Sequence, residues 1–128
     1  MLLFLDDSKE RIKKFKSAYP SATIVETSEE TILQLQKSKF KIVSLDHDLG
    51  GEIYVDSGRE DTGMGVVRWI VENKPQIELV IVHSLNDDGG LNMMSHLRYA
   101  GYNAVRTPFP YLISYLDNVI GNYNGPDQ

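Results

Sequence analysis

Cysteine is absent from this chain. Disulfides and cysteine-ligated zinc are therefore excluded, and the composition suits a reducing cytoplasm, which is the expected location. No apolar run approaches the roughly 20 residues of a membrane helix, so no membrane partner is expected. The opening Met1-Leu2-Leu3-Phe4-Leu5-Asp6 lacks a basic leader and turns acidic too early for a signal peptide. Positive charge is also in deficit: 13 Lys and Arg stand against 18 Asp and Glu, a net charge of −5. A field of that sign does not favour an extended nucleic-acid surface. A small phosphate-containing ligand or an RNA end could still bind through a metal and local basic groups.

The 128 residues suit one domain with a core of its own. Short apolar runs alternate with segments of helical spacing. Leu2–Leu5, Ala22–Glu26, Phe40–Leu45, Glu78–Val82 and Tyr102–Arg106 read as strands. Between them, Ser8 caps a helix carrying Ile12 and Phe15 and stopped by Pro20. Thr27-Ser28-Glu29-Glu30 opens a second, with Ile32, Leu33 and Leu35 as its inner side. A third starts at Thr62 or the glycines and buries Val66, Val67, Ile70 and Val71. Asn86 to Gly90 reads as a turn-rich loop, followed by a helix over Leu91–Ala100. Pro108–Ile120 forms the last helix. Residues 50–63 hold four glycines and no periodicity, and are expected to form a surface loop acting as a lid. Residues 1–121 make the domain and 122–128 a polar tail. Nothing here sets the oligomeric state.

Five strand–helix alternations imply a parallel sheet with helices on both faces. The expected order is 2-1-3-4-5, a flavodoxin-like three-layer α/β sandwich. In that order the first and third strands are neighbours where the winding reverses, and ligands bind beyond their carboxyl ends. Chemistry-bearing residues gather at those ends. Asp6-Asp7 closes the first strand, Asp46-His47-Asp48 the third, His83-Ser84 the fourth and Arg106 the fifth. Each has an ordinary reading taken singly, as a turn, a cap, a core histidine or a surface ion pair. Their joint placement at one edge is what points to a site. Asp6, Asp7, Asp46 and Asp48 are oxygen donors suited to magnesium or manganese. His47 and His83 can transfer protons or ligate a metal. Ser84 and Arg106 are candidates to hold a phosphate.

The whole pattern resembles a response-regulator receiver domain: an acidic pair after strand one, an aspartate after strand three, a hydroxyl residue after strand four and a basic residue near a proline after strand five. Arg106-Thr107-Pro108 departs from the lysine–proline pair of that family. The motifs Leu5-Asp6-Asp7, Leu45 to Gly50, Thr62-Gly63, His83-Ser84-Leu85-Asn86 and Asn92-Met93 resemble a narrower group, the cyclic-phosphate-processing receiver-like domains. This resemblance implies metal-assisted handling of a cyclic phosphate on a nucleotide or RNA end, with Asn86 and Thr62 joining Ser84 and Arg106 as residues that hold it.

Three activities are thus expected in turn. The first is a metal-dependent phosphoesterase with Asp46, His47, His83 and Ser84 as its catalytic group. The second is a non-hydrolytic receiver phosphorylated on Asp46. The third is a module that binds a cyclic nucleotide or a protein.

Overall fold

The computed structural model describes residues 1–49 and 58–123. Its sheet is built from β1 (Leu2–Leu5), β2 (Thr23–Val25), β3 (Ile42–Leu45), β4 (Leu79–Val82) and β5 (Ala104–Arg106). The helices are α1 (Lys9–Ala18), α2 (Ser28–Lys37), α3 (Gly63–Asn73), α4 (Asp87–Tyr99) and α5 (Phe109–Tyr123). All strand pairs are parallel and the order is β2-β1-β3-β4-β5, as the alternation of elements predicts.

The strands are apolar on successive residues because both faces are covered. Leu3, Leu5, Val43, Leu45, Val80 and Val82 point to one side and pack with Leu35, Val67, Ile70, Met93 and Leu97 of α2, α3 and α4. Phe4, Ile42 and Ile81 point to the other side and meet Phe15 of α1 with Phe109, Leu112 and Leu116 of α5. Phe4 stacks on Phe15 with ring centroids 4.0 Å apart. This period-two division decides which side of the sheet each residue just beyond a strand tip faces.

Side-chain caps begin four of the helices. Ser8, Thr27, Thr62 and Asn86 each accept a backbone N–H from three residues ahead. Two expectations are corrected here. Asn86 to Gly90 is not a loop: Asn86 is the cap and Asp87 to Gly90 the first turn of α4, with the two acids favourably placed at its positive end. Leu33 is exposed, because Ser28, Thr31 and Leu35 form the buried stripe of α2 and Leu33 lies about 200° around the helix from Thr31. Of the expected loop, 50–57 lies outside the described residues, as does 124–128 of the expected tail. The remainder of the loop, Gly58 to Asp61, is exposed and leads into the Thr62 cap.

Candidate functional site

The sheet ladder runs one step past β1, β3 and β4. Asp46 N–H donates to Leu5 O, and His83 N–H donates to Leu45 O. Asp6, Asp46 and His83 therefore sit side by side in one layer. Two residues back along each strand lie Phe4, Ser44 and Ile81, so all three side chains emerge on the α1–α5 side. One ligand atom of each lies within 4.8 Å of the others, and all three residues are buried. Among the described residues this is the one such cluster.

His83 Nε2 is 2.9 Å from Asp6 Oδ2, and its Nδ1 is 2.7 Å from Ser44 Oγ. Arg11, reaching from the first turns of α1, donates through Nε to Asp6 Oδ2 at 2.8 Å and through Nη2 to Asp6 Oδ1 at 3.0 Å. The same Nη2 is 3.4 Å from Asp46 Oδ2. Asp6 also accepts the Ser8 N–H at 2.9 Å.

The two carboxylates consequently behave differently. Burial pushes Asp6 up, but hydrogen bonds from His83 and Arg11 outweigh it and hold Asp6 at about 2. Burial pushes Asp46 up to about 6, helped by the charge of Asp6 and only partly opposed by His83 and Arg11. Asp6 is the anchored anion of the pair, and Asp46 is the carboxylate whose charge is incompletely compensated.

A second group lies on the α3–α4 side. His47 is fully buried, and its Nδ1 is 2.7 Å from Asp48 Oδ1. Asn86 donates through Nδ2 to the same oxygen at 3.3 Å while its Oδ1 caps α4 through the Gly89 N–H. The His47 N–H donates to Asp46 Oδ1 at 2.9 Å, which links the two groups. Ser84 Oγ accepts the Asn86 N–H, and the Ser84 carbonyl accepts from Arg106 Nη2 at 2.8 Å. Arg106 Nη2 also pairs with Asp87 at 2.7 Å, whereas Arg106 Nε is buried without a partner among the described residues.

Close backbone approach explains Gly63, Gly89 and Gly90. The Gly63 N–H donates to His47 O, and a Cβ on Gly63 would come within 1.8 Å of Asp46 O. No side chain fits between the start of α3 and the tip of β3. A Cβ on Gly89 would be 2.7 Å from the His47 ring, and one on Gly90 would be 2.7 Å from Arg106 Nε. The first turn of α4 is thus bare where it covers His47 and Arg106.

The expected site residues divide accordingly. Asp6, Asp46 and His83 come together in one cluster. Asp48 goes instead to His47 and Asn86, and Asp7, half-buried beside Asp6, is not in the cluster. Thr62 is buried, accepting the Gly65 N–H as a cap and donating to Arg59 O. Sequence reasoning missed Arg11 and Ser44. Arg11 could have been found from its place one turn before buried Phe15 on the inward stripe of α1. The signal for Ser44 is a lone hydroxyl inside an otherwise apolar strand.

A family model described as the cyclic-phosphate processing receiver domain matches residues 1–99. The chain belongs to that family. Every site residue from Asp6 to Asn86 lies within the match, and Arg106 lies beyond it. Solved receiver structures share the fold of this receiver domain. A response regulator from Colwellia psychrerythraea gives a TM-score of 0.68 at 18% identity, covering 94% of this chain and 96% of that one. A CheY-like receiver domain protein from Methanospirillum hungatei JF-1 gives 0.67 at 15% identity, covering 95% and 90%. Chemotaxis protein CheY4 of Vibrio cholerae gives 0.62 at 13% identity, covering 94% and 95%. Identities this low establish the fold and nothing beyond it. No curated relative matches the chain. Among the described residues, no helix is long and apolar enough to cross a membrane.

Proposed function

We propose that this receiver domain is a metal-dependent phosphoesterase acting on a cyclic phosphate of a nucleotide or RNA end. The observation that carries the reading is the convergence of two carboxylates and an imidazole at the tips of three adjacent strands. Histidine is the added element: the receiver pattern calls for a hydroxyl residue after strand four, and here His83 stands in the layer of the two aspartates.

The donor set fits a divalent cation. The two carboxylates suit magnesium or manganese, the imidazole nitrogen suits manganese or zinc better than magnesium, and the same two carboxylates already converge on the guanidinium of Arg11. Asp6, Asp46 and His83 would hold the ion, with Asp7, the next residue after Asp6, as a further candidate carboxylate. Such an ion supplies charge neutralisation at a phosphate and acidifies a water bound to it. The remaining work falls to the chain itself. Asp48 holds His47 by Nδ1 and so orients that ring for proton exchange. Asn86 keeps Asp48 in place and anchors the N-terminus of α4, where N–H groups favour an anion. Arg106 adds positive charge beside Ser84. The family's cyclic-phosphate description and the Asp46-His47-Asp48 run support the substrate class.

Purified protein with magnesium or manganese is expected to open 2′,3′-cyclic nucleotides, and Asp46→Asn and His83→Ala are expected to abolish turnover while circular dichroism shows an intact fold. Absence of turnover by the folded wild type across a panel of cyclic phosphates and phosphodiesters would sink the proposal. A mass increase at Asp46 from a small phosphodonor, without turnover, would favour the signalling reading instead. Tight cyclic-nucleotide binding insensitive to chelator would favour the binding module.

A further inference from the structure

Ser44 occupies the middle of β3, paired in register with Phe4 on one side and Ile81 on the other. It is fully buried, and Ile42 lies below it on the same face. A hydroxyl in such a row has to find a polar partner. The partner is His83, whose Nδ1 lies 2.7 Å from Ser44 Oγ. At the far end of the ring, Nε2 faces Asp6 Oδ2 at 2.9 Å.

We propose that Ser44 is a positioning residue, whose hydroxyl fixes the pose of the His83 ring and so keeps Nε2 presented to the site. The inference rests on the proposed function only where it concerns the cation; the orientation of the ring stands without it. Packing alone does not set that orientation. Phe4 stacks on the face of the His83 ring at 4.7 Å and 13°, and Phe109 meets it edge-on at 6.1 Å and 66°. Both contacts survive a half-turn of the ring, which would exchange nitrogen for carbon at each end. Only the bonds at Nδ1 and Nε2 distinguish the two poses, and Asp6 alone holds one end.

A hydroxyl also suits both states the site would pass through, because it donates and accepts. With Asp6 accepting from Nε2–H, Nδ1 is the bare nitrogen and Ser44 donates to it. With a cation on Nε2, that nitrogen has no proton, Nδ1 carries one, and Ser44 accepts it. The number of protons on the neutral ring is the same in both forms. Alanine or valine at position 44 can do neither, while threonine keeps the hydroxyl. Outer-shell partners of ligating histidines have this orienting role in metal sites generally.

The test uses the full ¹⁵N-labelled chain and long-range ¹H–¹⁵N spectra of His83, with no metal and with zinc chloride, a diamagnetic ion that ligates imidazole, in wild type, Ser44→Ala, Ser44→Thr and Ser44→Val. Metal-free wild type and Ser44→Thr, read where the ring is neutral, are expected to show a protonated Nε2 and a bare Nδ1. Zinc is expected to exchange the two signatures. In Ser44→Ala and Ser44→Val the two nitrogens are expected to move toward averaged positions, and zinc affinity to fall about 10- to 100-fold. Threonine and valine are close in size, so this pair separates the hydroxyl from packing even where alanine fails to fold. Identical metal-free signatures in the threonine and valine variants would overturn the proposal. Failure of wild type to bind zinc would remove the cation reading, and the metal-free signatures would still decide the role of Ser44.

Discussion

Arg11 stands between two buried carboxylates but serves them unequally: it chelates Asp6 through two bonds, while Asp46 Oδ2 lies 3.4 Å from its Nη2. The acidic layer thus already contains one internal cation, carried on a side chain that is 29% exposed. A divalent ion would compete with that guanidinium for the same oxygens.

Replacing Arg11 by methionine keeps the bulk of the side chain and removes the charge. In the absence of metal this is expected to cost about 1–3 kcal/mol, because two buried carboxylates lose their counter-charge while the partial exposure of the arginine limits the loss. Added magnesium or manganese is expected to restore most of it. Thermal unfolding of both proteins, with chelator and with metal, measures the difference. Equal metal-induced stabilisation of wild type and variant would refute the competition.

The pH dependence of the metal-free fold follows from the opposed shifts of the two aspartates. Asp46, pushed up to about 6 by burial, binds its proton more tightly in the folded state than in the unfolded chain. Stability therefore falls as pH rises from about 4 to about 6, by up to about 3 kcal/mol at about 1.4 kcal/mol per pKa unit. Asp6, held at about 2, has the opposite sign: its contribution is present above about pH 4 and is lost as pH falls through about 2. Asp46→Asn is expected to flatten the fall between pH 4 and 6 and to raise metal-free stability at pH 7 by about 1–2 kcal/mol. Urea titrations across this range read it directly, and an unchanged slope in the variant would contradict the assignment.

Metal affinity should track the same group. Protons compete with the cation for Asp46, so affinity is expected to climb up to about pH 6 and then level. Calorimetry with magnesium or manganese at several pH values tests this. A continued steep rise well above pH 7 would point to a ligand other than the carboxylates.

Of the four tight glycines, Gly63, Gly89 and Gly90 are expected to differ in a set order when changed to alanine. Gly63→Ala is the worst, costing about 3 kcal/mol or more, since its Cβ would meet the backbone of Asp46 and neither chain can yield. Gly89→Ala pushes on a packed His47 ring and is expected to cost about 1–2 kcal/mol net of improved helix propensity. Gly90→Ala meets a flexible arginine, so the gain in propensity roughly offsets the displacement. Chemical denaturation gives the ranking, and any other order would mean that these contacts do not limit the approach of α3 and α4.

Asn86 combines a cap with a contact to Asp48, and substitution can separate the two. Asn86→Ser keeps a capping oxygen and is expected to unfold within about 0.5 kcal/mol of wild type, whereas Asn86→Ala loses about 1 kcal/mol. Both lose the amide that holds Asp48. If His47 transfers a proton in turnover, both variants should be slowed to a similar degree despite their different stabilities. A serine variant with wild-type turnover would confine Asn86 to its capping role.

Much of the fold was legible because its elements are signalled locally. Apolar runs such as Leu2–Leu5 identify strands buried on both faces, and Ser8, Thr27 and Thr62 mark helix starts by a side-chain oxygen placed before an amphipathic segment. The Asn86–Gly90 stretch misled because a cap followed by glycines has the composition of a turn. Its glycines are there for the close approach of His47 and Arg106, which are distant in sequence. Leu33 misled because an apolar residue next to a stripe looks like part of it until the stripe has a direction.

By itself the sequence determined the strand–helix alternation, the sheet order and the clustering of acids and histidines at strand tips. The alternation and the strand tips follow from hydrophobic period, a property of neighbouring residues, and the order from the crossovers that this alternation imposes. Only the tertiary structure decided that Asp6, Asp46 and His83 form one cluster while Asp48 turns away to His47 and Asn86, that Arg11 supplies its internal counter-charge, and that Ser44 holds the far side of the His83 ring. Those choices depend on register between strands, which places residues as far apart as Asp6 and His83 in one layer, and on the alternation that sends successive side chains to opposite faces.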